Sequence, residues 1–251
     1  MITISVLLLA SLLPHLTFTD RVNVGIVNGK EAKPHSRPYM VSLQSNKTHI
    51  CGGFLISDEF VLTAAHCRNR SEFLTIVVGA HNLNTMEGAA RIQVKSYHKH
   101  LDYSKTPHRN DIMLLRLQKK VKKKKHVKWI SIPMTGEDIE TDSVCSVAGW
   151  GSSVLNGTQS PILMEANVKI MNKAKCKRSW GKDFLPSQMM CVYGKGGTCG
   201  GDSGGPLVCG NTAVGVTSFG DYNHCNSPKH PEVYTKISAF LPWIKNIIGN
   251  V

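Results

Sequence analysis

After its first thirteen residues, the sequence has no apolar run long enough to cross a lipid bilayer. It also lacks any zinc finger, RNA-binding signature or other nucleic-acid module, and it has no internal repeat. Helical periodicity is scarce before the last dozen residues. We therefore expect no membrane span, no nucleic-acid partner and no predominantly helical fold.

Acidic residues are also scarce. The chain has 17 Asp and Glu against 30 Lys and Arg, which gives a formal net charge of +13. A surface with this excess of positive charge attracts polyanions. Because nucleic-acid modules are lacking, we expect secreted polyanions such as sulfated glycosaminoglycans rather than DNA or RNA.

The N-terminus and the cysteines indicate secretion. Ile2–Leu13 is a short apolar run followed by a small-residue site near Thr17 and Thr19, so we predict a signal peptide over residues 1–19. No positive charge precedes this run, which leaves the cleavage point open. The eight cysteines, an even number, indicate disulfides formed in an oxidising compartment. Their spacing alone does not determine the pairing.

The body of the chain has the pattern of an all-β protein. Short runs rich in Val, Ile and Leu alternate with Gly, Pro, Asn and Ser, which predicts a sandwich or barrel. A single helix is predicted at the end, where apolar residues follow the i, i+3, i+4, i+7, i+8 spacing of one helix face. These residues are Phe240, Trp243, Ile244, Ile247 and Ile248.

Three polar residues stand beside such apolar runs. Ser203 lies in the glycine-rich segment Thr198–Leu207, His66 follows Val61–Ala65, and Asp111 precedes Ile112–Leu117. Taken singly, each has an ordinary structural explanation as a turn, a packed histidine or a loop cap. Together they supply what a serine hydroxyl needs to become a nucleophile, namely a base and a group that orients it. Their order, His–Asp–Ser, is that of the chymotrypsin-type triad.

With these residues in place, the sequence resembles the chymotrypsin-like (trypsin-fold) serine proteases over residues 26–251. The resemblance implies an all-β fold of two antiparallel six-stranded β-barrels, at roughly 36–129 and 130–240, with a C-terminal helix. It also implies the disulfides Cys51–Cys67, Cys145–Cys209, Cys176–Cys191 and Cys199–Cys225. The matching motifs are Ile26–Gly29, Leu62–Cys67, Asp111–Leu115, Gly149–Gly151, Gly201–Pro206 and Ser218–Gly220.

The resemblance implies a role for each residue of the site. Ser203 would be the nucleophile, His66 its base and Asp111 the group that orients the imidazole, while the backbone N–H groups of Gly201 and Ser203 would form the oxyanion hole. Removal of a propeptide, residues 20–25, would create an amino group on Ile26 that pairs with Asp202. The enzyme would thus be made as a zymogen activated at Gly25–Ile26.

The predicted propeptide indicates which branch of the family the sequence resembles. Gly25 is not a basic residue, so we do not expect activation by a trypsin-like enzyme. This resembles the granule-stored branch of granzymes, mast-cell chymases, cathepsin G and duodenase. Their propeptides are usually two residues long, whereas this one is longer, which leaves the activating protease open.

The predicted specificity pocket departs from the trypsin pattern. Gly197 stands where trypsins have an aspartate, with Thr198 beside it, and Glu232 stands on the opposite wall where glycine is frequent in the family. We expect Glu232 to receive a substrate Lys or Arg, with Phe, Tyr or Leu as a second class. The alternative is that Glu232 turns outward to solvent. Three further residues complete the predicted pocket: Ser218, Phe219 and Gly220.

Several partners follow from the sequence. Polypeptides are the expected substrates, and the basic run Lys119–Lys128 is a candidate site for heparin or chondroitin-sulfate proteoglycans, with a solvated loop as the alternative. The sequons at Asn46, Asn69 and Asn156 are candidate glycosylation sites. We expect no cofactor and no metal, because the only acid near Gly79–Asn82, where related trypsins bind calcium, is Glu87.

We therefore predict a secreted or granule-stored serine endopeptidase that acts as a monomer. Two alternatives stay open at this point. One is a catalytically silent, heparin-binding homologue, against which the complete set of His66, Asp111 and Ser203 argues. The other is a secreted digestive trypsin-like enzyme, against which Gly197 and the missing basic activation residue argue.

Overall fold

The structure is a computed structural model that describes residues 25–68 and 73–249. The predicted signal peptide, residues 20–24 of the predicted propeptide and the sequon residue Asn69 lie outside the described residues. None of the helices within the described ranges is long and apolar enough to span a bilayer.

The first half of the chain forms a closed antiparallel barrel. It follows a two-residue strand, β1 (Lys30–Glu31), and its first five strands are β2 (Met40–Ser45), β3 (Thr48–Leu55), β4 (Phe60–Thr63), β5 (Thr75–Val78) and β6 (Ala90–Lys99). A small hairpin of β7 (Ser104–Lys105) and β8 (His108–Arg109) comes next, and β9 (Met113–Leu117) is the sixth strand. The strands close in the order β2-β3-β4-β9-β6-β5.

The second half forms another closed barrel. Its six strands pair in the order β11-β10-β13-β14-β15-β12, and the pairing of β11 with β12 closes it, while β1 adds to the outside of β11. The two six-stranded antiparallel barrels predicted from the sequence are therefore confirmed. The strands are β10 (Val144–Gly149), β11 (Met164–Ile170), β12 (Met189–Tyr193), β13 (Pro206–Cys209), β14 (Thr212–Phe219) and β15 (Val233–Lys236).

Two α-helices lie within residues 25–68 and 73–249, and only one of them was predicted. Helix α1 (Lys173–Trp180) lies between β11 and β12, and helix α2 (Leu241–Gly249) is the predicted C-terminal helix. The apolar face of α2 packs on the first barrel, where Ile244 is buried. Helix α1 has few apolar residues, so periodicity gives no signal for it. Its start is fixed instead by the Asn172 side chain, which accepts the N–H groups of Ala174 and Lys175.

Four disulfides join the eight cysteines, and they are the pairs Cys51–Cys67, Cys145–Cys209, Cys176–Cys191 and Cys199–Cys225. Cys51–Cys67 ties β3 to the short 3₁₀ turn Ala65–Cys67, which carries His66. Cys199–Cys225 ties the segment before Ser203 to the loop between β14 and β15. Two of the bridges therefore restrain the segments on which the predicted site residues lie.

Candidate active site

The register of two neighbouring strands brings His66 and Asp111 together. Strand β4 ends at Thr63, which lies opposite Met113, the first residue of β9. His66 follows the end of β4 by three residues, and Asp111 precedes the start of β9 by two. Because the strands are antiparallel, both residues emerge at the same edge of the first barrel. The His66 Nδ1 atom lies 2.7 Å from Asp111 Oδ2.

Asp111 is buried and its carboxylate is fully engaged. Oδ1 accepts the backbone N–H of His66 at 2.9 Å, and Oδ2 accepts both the His66 ring N–H and the hydroxyl of Ser218 at 2.6 Å. Burial alone would raise the pKa of Asp111, but the charge of His66 and these hydrogen bonds outweigh it and hold the pKa below its usual value. An ionised carboxylate only accepts hydrogen bonds, so Nδ1 of His66 carries the proton. Nε2 is then left as the basic nitrogen.

Ser203 comes from the second barrel, in the loop before β13. Its carbonyl accepts the N–H of Gly52 at 2.8 Å, and the N–H of the next residue, Gly204, donates to Thr217 at 2.8 Å. These bonds join the loop to β3 of the first barrel and to β14 of the second. Ser203 and His66 line one cavity of about 400 Å³, and no hydrogen bond joins their side chains in the described part of the chain. Catalytic bonds of this kind often form only when substrate is bound.

The backbone of the Ser203 loop has the shape of an oxyanion site. Gly201 has a φ of +98°, a conformation that side-chain-bearing residues rarely adopt. Within the described ranges, the N–H groups of Gly201 and Ser203 donate to no other group. The carbonyl of Gly201 is held from the opposite side by His49 Nε2 at 3.0 Å. Both N–H groups therefore have no acceptor among the described residues.

His49 is a residue that the sequence analysis did not single out. It lies on β3, its Nδ1 accepts the hydroxyl of Ser42 at 2.8 Å, and burial lowers its pKa to about 4. The ring is therefore neutral, with Nε2–H as the donor to Gly201. No motif marks this histidine, because its partners lie seven and 152 residues away in the chain.

The Asp202 carboxylate is buried behind the same loop. Its hydrogen bonds come from the N–H groups of Gly151, at 2.8 Å, and Cys199, at 3.0 Å. Burial is the largest influence, and together with the nearby Glu232 carboxylate it raises the pKa of Asp202 to about 7, although the two hydrogen bonds oppose this effect. Two backbone donors thus leave a buried carboxylate without a compensating positive charge.

Ile26, the predicted partner of Asp202, is also buried. Its neighbour Val27 exchanges backbone hydrogen bonds with Gly197 at 2.8 and 3.2 Å, so this segment already lies against the loops of the second barrel. No hydrogen bond from Ile26 to Asp202 is among the described contacts, as expected while the Ile26 nitrogen is an uncharged amide. The Gly25–Ile26 bond itself is buried, so this segment must open before a protease can cut it.

Glu232 occupies the place that Gly197 leaves free. A Cβ atom at Gly197 would lie 2.5 Å from Glu232 Oε1 and 2.8 Å from Asn226 Oδ1, so no side chain fits there. Gly197 itself does not line the cavity that contains Ser203. The cavity is lined by the other five predicted pocket residues: Thr198, Ser218, Phe219, Gly220 and Glu232.

The Glu232 side chain turns inward and is only 6% exposed. Oε2 accepts the hydroxyls of Thr198 at 2.7 Å and Tyr234 at 3.1 Å, while Oε1 is buried and has no hydrogen-bond partner among the described residues. Burial raises the pKa of Glu232 to about 7, although the bonds from Thr198 and Tyr234 oppose this effect. The outward orientation left open by the sequence is therefore not the one observed.

An aromatic wall that the sequence analysis did not predict flanks the cleft. His108 stacks on Phe219 with ring centroids 5.5 Å apart, and Trp180 meets Phe219 edge-on at 5.0 Å. His108 comes from the hairpin β7–β8, Phe219 from the end of β14 and Trp180 from helix α1. No local pattern reveals this wall, since its three members come from separate elements of the fold.

The basic run forms an exposed loop after β9. Val121 and Val127 are buried and anchor it, while the lysines between and beside them are exposed. The N–H and carbonyl groups of Lys124 and Val127 bond each other and make the turn tight. Among the ion pairs of the described residues, only Lys120 of this run has acidic partners, Asp58 and Glu59. Asn46 and Asn156 are likewise exposed, and their glycosylation stays a prediction.

Comparisons with known proteins agree with this geometry. The family model described as Trypsin matches residues 26–244. Mast cell protease 3 of Ovis aries is 40% identical over 227 residues, which cover 88% of each chain. Cathepsin G of Homo sapiens is 38% identical over 247 residues, covering 95% of this chain and 92% of the relative. The solved structure of neuropsin, a serine protease expressed in the limbic system of mouse brain, matches with a TM-score of 0.83 and 35% identity, covering 89% of this chain and 100% of that one.

Proposed function

The chain belongs to the trypsin family of serine proteases, and we propose that this serine endopeptidase is a secreted or granule-stored enzyme that cleaves after Lys or Arg, with Phe, Tyr or Leu as a second class. The observation that carries this proposal is the buried, unpartnered oxygen of Glu232 in the cavity that also contains Ser203. Relatives named as a mast cell protease, granzymes and cathepsin G support the granule-stored branch.

The residues of the site have complementary roles in the proposed reaction. Ser203 attacks the peptide carbonyl while His66 takes its proton and later donates it to the leaving amine. Asp111 holds the imidazole in the correct tautomer and stabilises its charged form. The N–H groups of Gly201 and Ser203 bind the oxyanion, and losing one such donor typically costs about 3–4 kcal/mol of transition-state stabilisation.

Activation is proposed to supply the positive charge that Asp202 lacks. Cleavage of Gly25–Ile26 would turn the Ile26 amide into an ammonium group beside the loops that it already contacts. A buried carboxylate with a raised pKa is stabilised strongly by such a partner, and the pair would fix the Gly201–Ser203 backbone. The protease that makes this cut is not identified by the sequence around Gly25.

The substrate cation is proposed to pair with Glu232 Oε1. A Lys or Arg side chain in the cavity would meet the Glu232 carboxylate on the wall of the pocket rather than at its bottom. The hydroxyls of Thr198 and Tyr234 hold the other carboxylate oxygen, Oε2. When no cation is bound, the raised pKa keeps part of the Glu232 population protonated near neutral pH. Large apolar side chains can then enter, which accounts for the second substrate class.

A heparin or chondroitin-sulfate surface is proposed on the Lys119–Lys128 loop. Its exposed lysines project from a turn held by Val121 and Val127, so several positive charges are displayed close together. No described contact bears on the proposed monomeric state, which rests on the sequence alone.

Labelling of Ser203 tests the activation mechanism. In the test protein, residues 20–25 are replaced by a linker that enteropeptidase cleaves directly before Ile26. We expect Ser203 of this protein to react with a fluorophosphonate only after the linker has been cleaved. Ser203→Ala should not react in either form. Asp202→Asn should be cut normally but react at least about a hundredfold more slowly, because an unpaired buried charge costs about 3–5 kcal/mol. Equal labelling before and after cutting would contradict the mechanism, and no labelling after cutting would favour a catalytically silent homologue.

A panel of peptides that differ only at the residue before the cut bond tests the substrate class. We expect Glu232→Gln to lower kcat/KM for Lys and Arg peptides by at least about a hundredfold, equivalent to about 3 kcal/mol, because a buried ion pair is lost. The kcat/KM for Phe and Tyr peptides should change little. Asp221→Asn is the matched control, since Asp221 is an acid that lines the same cavity. Retained Lys and Arg cleavage in Glu232→Gln, or a preference for acidic residues, would show that the pocket assignment is wrong.

Chromatography on immobilised heparin tests the basic loop. Replacing Lys122, Lys123, Lys124 and Lys125 by Ala should lower the salt concentration needed for elution, because clustered charge is removed. A control with the same net charge replaces four exposed lysines scattered over the surface: Lys47, Lys175, Lys182 and Lys229. If the two variants elute together, net charge rather than the loop determines binding.

A further inference from the structure

His108 lies beside the catalytic histidine. It is on β8, three residues before Asp111, and its ring meets that of His66 edge-on with centroids 5.6 Å apart. One nitrogen of each ring and one carboxylate oxygen of Asp111 all lie within 4.8 Å of one another. The two imidazoles line the cavity that contains Ser203, and the carboxylate next to them is buried.

The role proposed for the catalytic residues leaves His108 unused. Its Nδ1 atom is buried and has no hydrogen-bond partner among the described residues. Burial, together with the charges of His66 and Lys105, lowers the pKa of His108, although Asp111 opposes this shift. An uncharged imidazole has one nitrogen lone pair that can bind a metal ion. Stacking on Phe219 holds the His108 ring in place.

This set of ligand atoms suits a zinc ion. Zn²⁺ takes imidazole nitrogens and carboxylate oxygens at about 2.0–2.2 Å in tetrahedral geometry. Neighbouring ligand atoms in such a site are about 3.4 Å apart, and these three atoms all lie within 4.8 Å of one another. A tetrahedral ion with these three ligands would take water as its fourth ligand. Calcium and magnesium prefer six or more oxygens or several waters, which this cluster does not supply.

We propose that His66 and His108, with Asp111, form a reversible inhibitory site for Zn²⁺. A metal ion bound to Nε2 of His66 occupies the lone pair that accepts the Ser203 proton. A metal ion bound to Nδ1 instead replaces the hydrogen bond by which Asp111 orients His66. Both stop proton transfer from Ser203 without a change in any covalent bond. The inference rests on the proposed roles of His66 and Asp111. It departs from the sequence-based expectation of no metal, which was argued from the acidic residues near Gly79–Asn82 and did not consider His108.

Inhibition by zinc sulfate tests the site on the activated enzyme. We expect Zn²⁺ to inhibit peptide cleavage, EDTA to reverse the inhibition, and Ca²⁺ and Mg²⁺ to have no effect. His108→Asn and His108→Phe should each raise the zinc concentration for half-inhibition by at least about tenfold, relative to the zinc-free activity of the same variant. The phenylalanine variant keeps a ring to stack on Phe219. His224→Asn is the control, because this histidine lines the same cavity but lies outside the cluster, and its variant should keep the zinc sensitivity of the parent.

Calorimetric titration of zinc into Ser203→Ala separates this proposal from the proposed catalytic function, since it needs no activity. We expect one zinc site that is lost when His108→Phe is added and kept when His224→Asn is added. Zinc inhibition or binding that is unaffected at His108 would overturn the proposal even if the enzyme is fully active. An inactive enzyme that still binds one zinc ion through His108 would overturn the catalytic roles and leave the metal site intact.

Discussion

The buried Asp202 carboxylate is the constraint on which the geometry of the site depends. It lies behind the loop that carries Ser203, and among the described residues it receives only the N–H groups of Gly151 and Cys199. Its pKa of about 7 reflects this incomplete compensation. Under the proposed activation, the charge that faces Asp202 also determines how firmly the backbone from Cys199 to Ser203 is held. The two oxyanion donors belong to that same stretch of backbone.

Glu232 is a second buried carboxylate without a compensating positive charge among the described residues. Glu232 has a pKa of about 7 and one unpartnered oxygen, and its charge raises the pKa of Asp202. Two acids so placed both favour cations. One cation is proposed to come from the chain itself, as the new terminus at Ile26, and the other from the substrate. On this account activation supplies the cation that favours the ionised form of Asp202. Substrate binding supplies the cation that favours the ionised form of Glu232.

The proposed active site belongs to neither barrel alone. His66 and Asp111 come from the ends of β4 and β9, while Ser203 and Ser218 come from the second barrel. Ser218 donates to Asp111, Thr235 donates to the Asp111 carbonyl, and Gly52 donates to Ser203, so hydrogen bonds cross the junction in both directions. A change in the relative position of the barrels would therefore alter the catalytic geometry before it altered either core.

The family resemblance implied the two barrels, and apolar periodicity indicated the C-terminal helix. The motifs pointed to residues that line the cleft, because each motif carries its chemistry within a few residues. The sequence favoured an inward Glu232, but it did not identify the hydroxyls of Thr198 and Tyr234 as the donors that hold the carboxylate. His108 and His49 were missed for a related reason. Their partners are distant in sequence, and nothing in their own segments distinguishes them from exposed histidines. Helix α1 was missed because a polar helix started by Asn172 has no apolar stripe.

The most direct test of the central role of Asp202 is a crystal structure of the cleaved protein that begins at Ile26. The account predicts that the Ile26 nitrogen lies within about 3 Å of an Asp202 carboxylate oxygen, with the N–H groups of Gly201 and Ser203 pointing into the cleft. A structure in which Ile26 lies in solvent while Asp202 keeps only Gly151 and Cys199 as partners, yet the enzyme cleaves peptides, would contradict it.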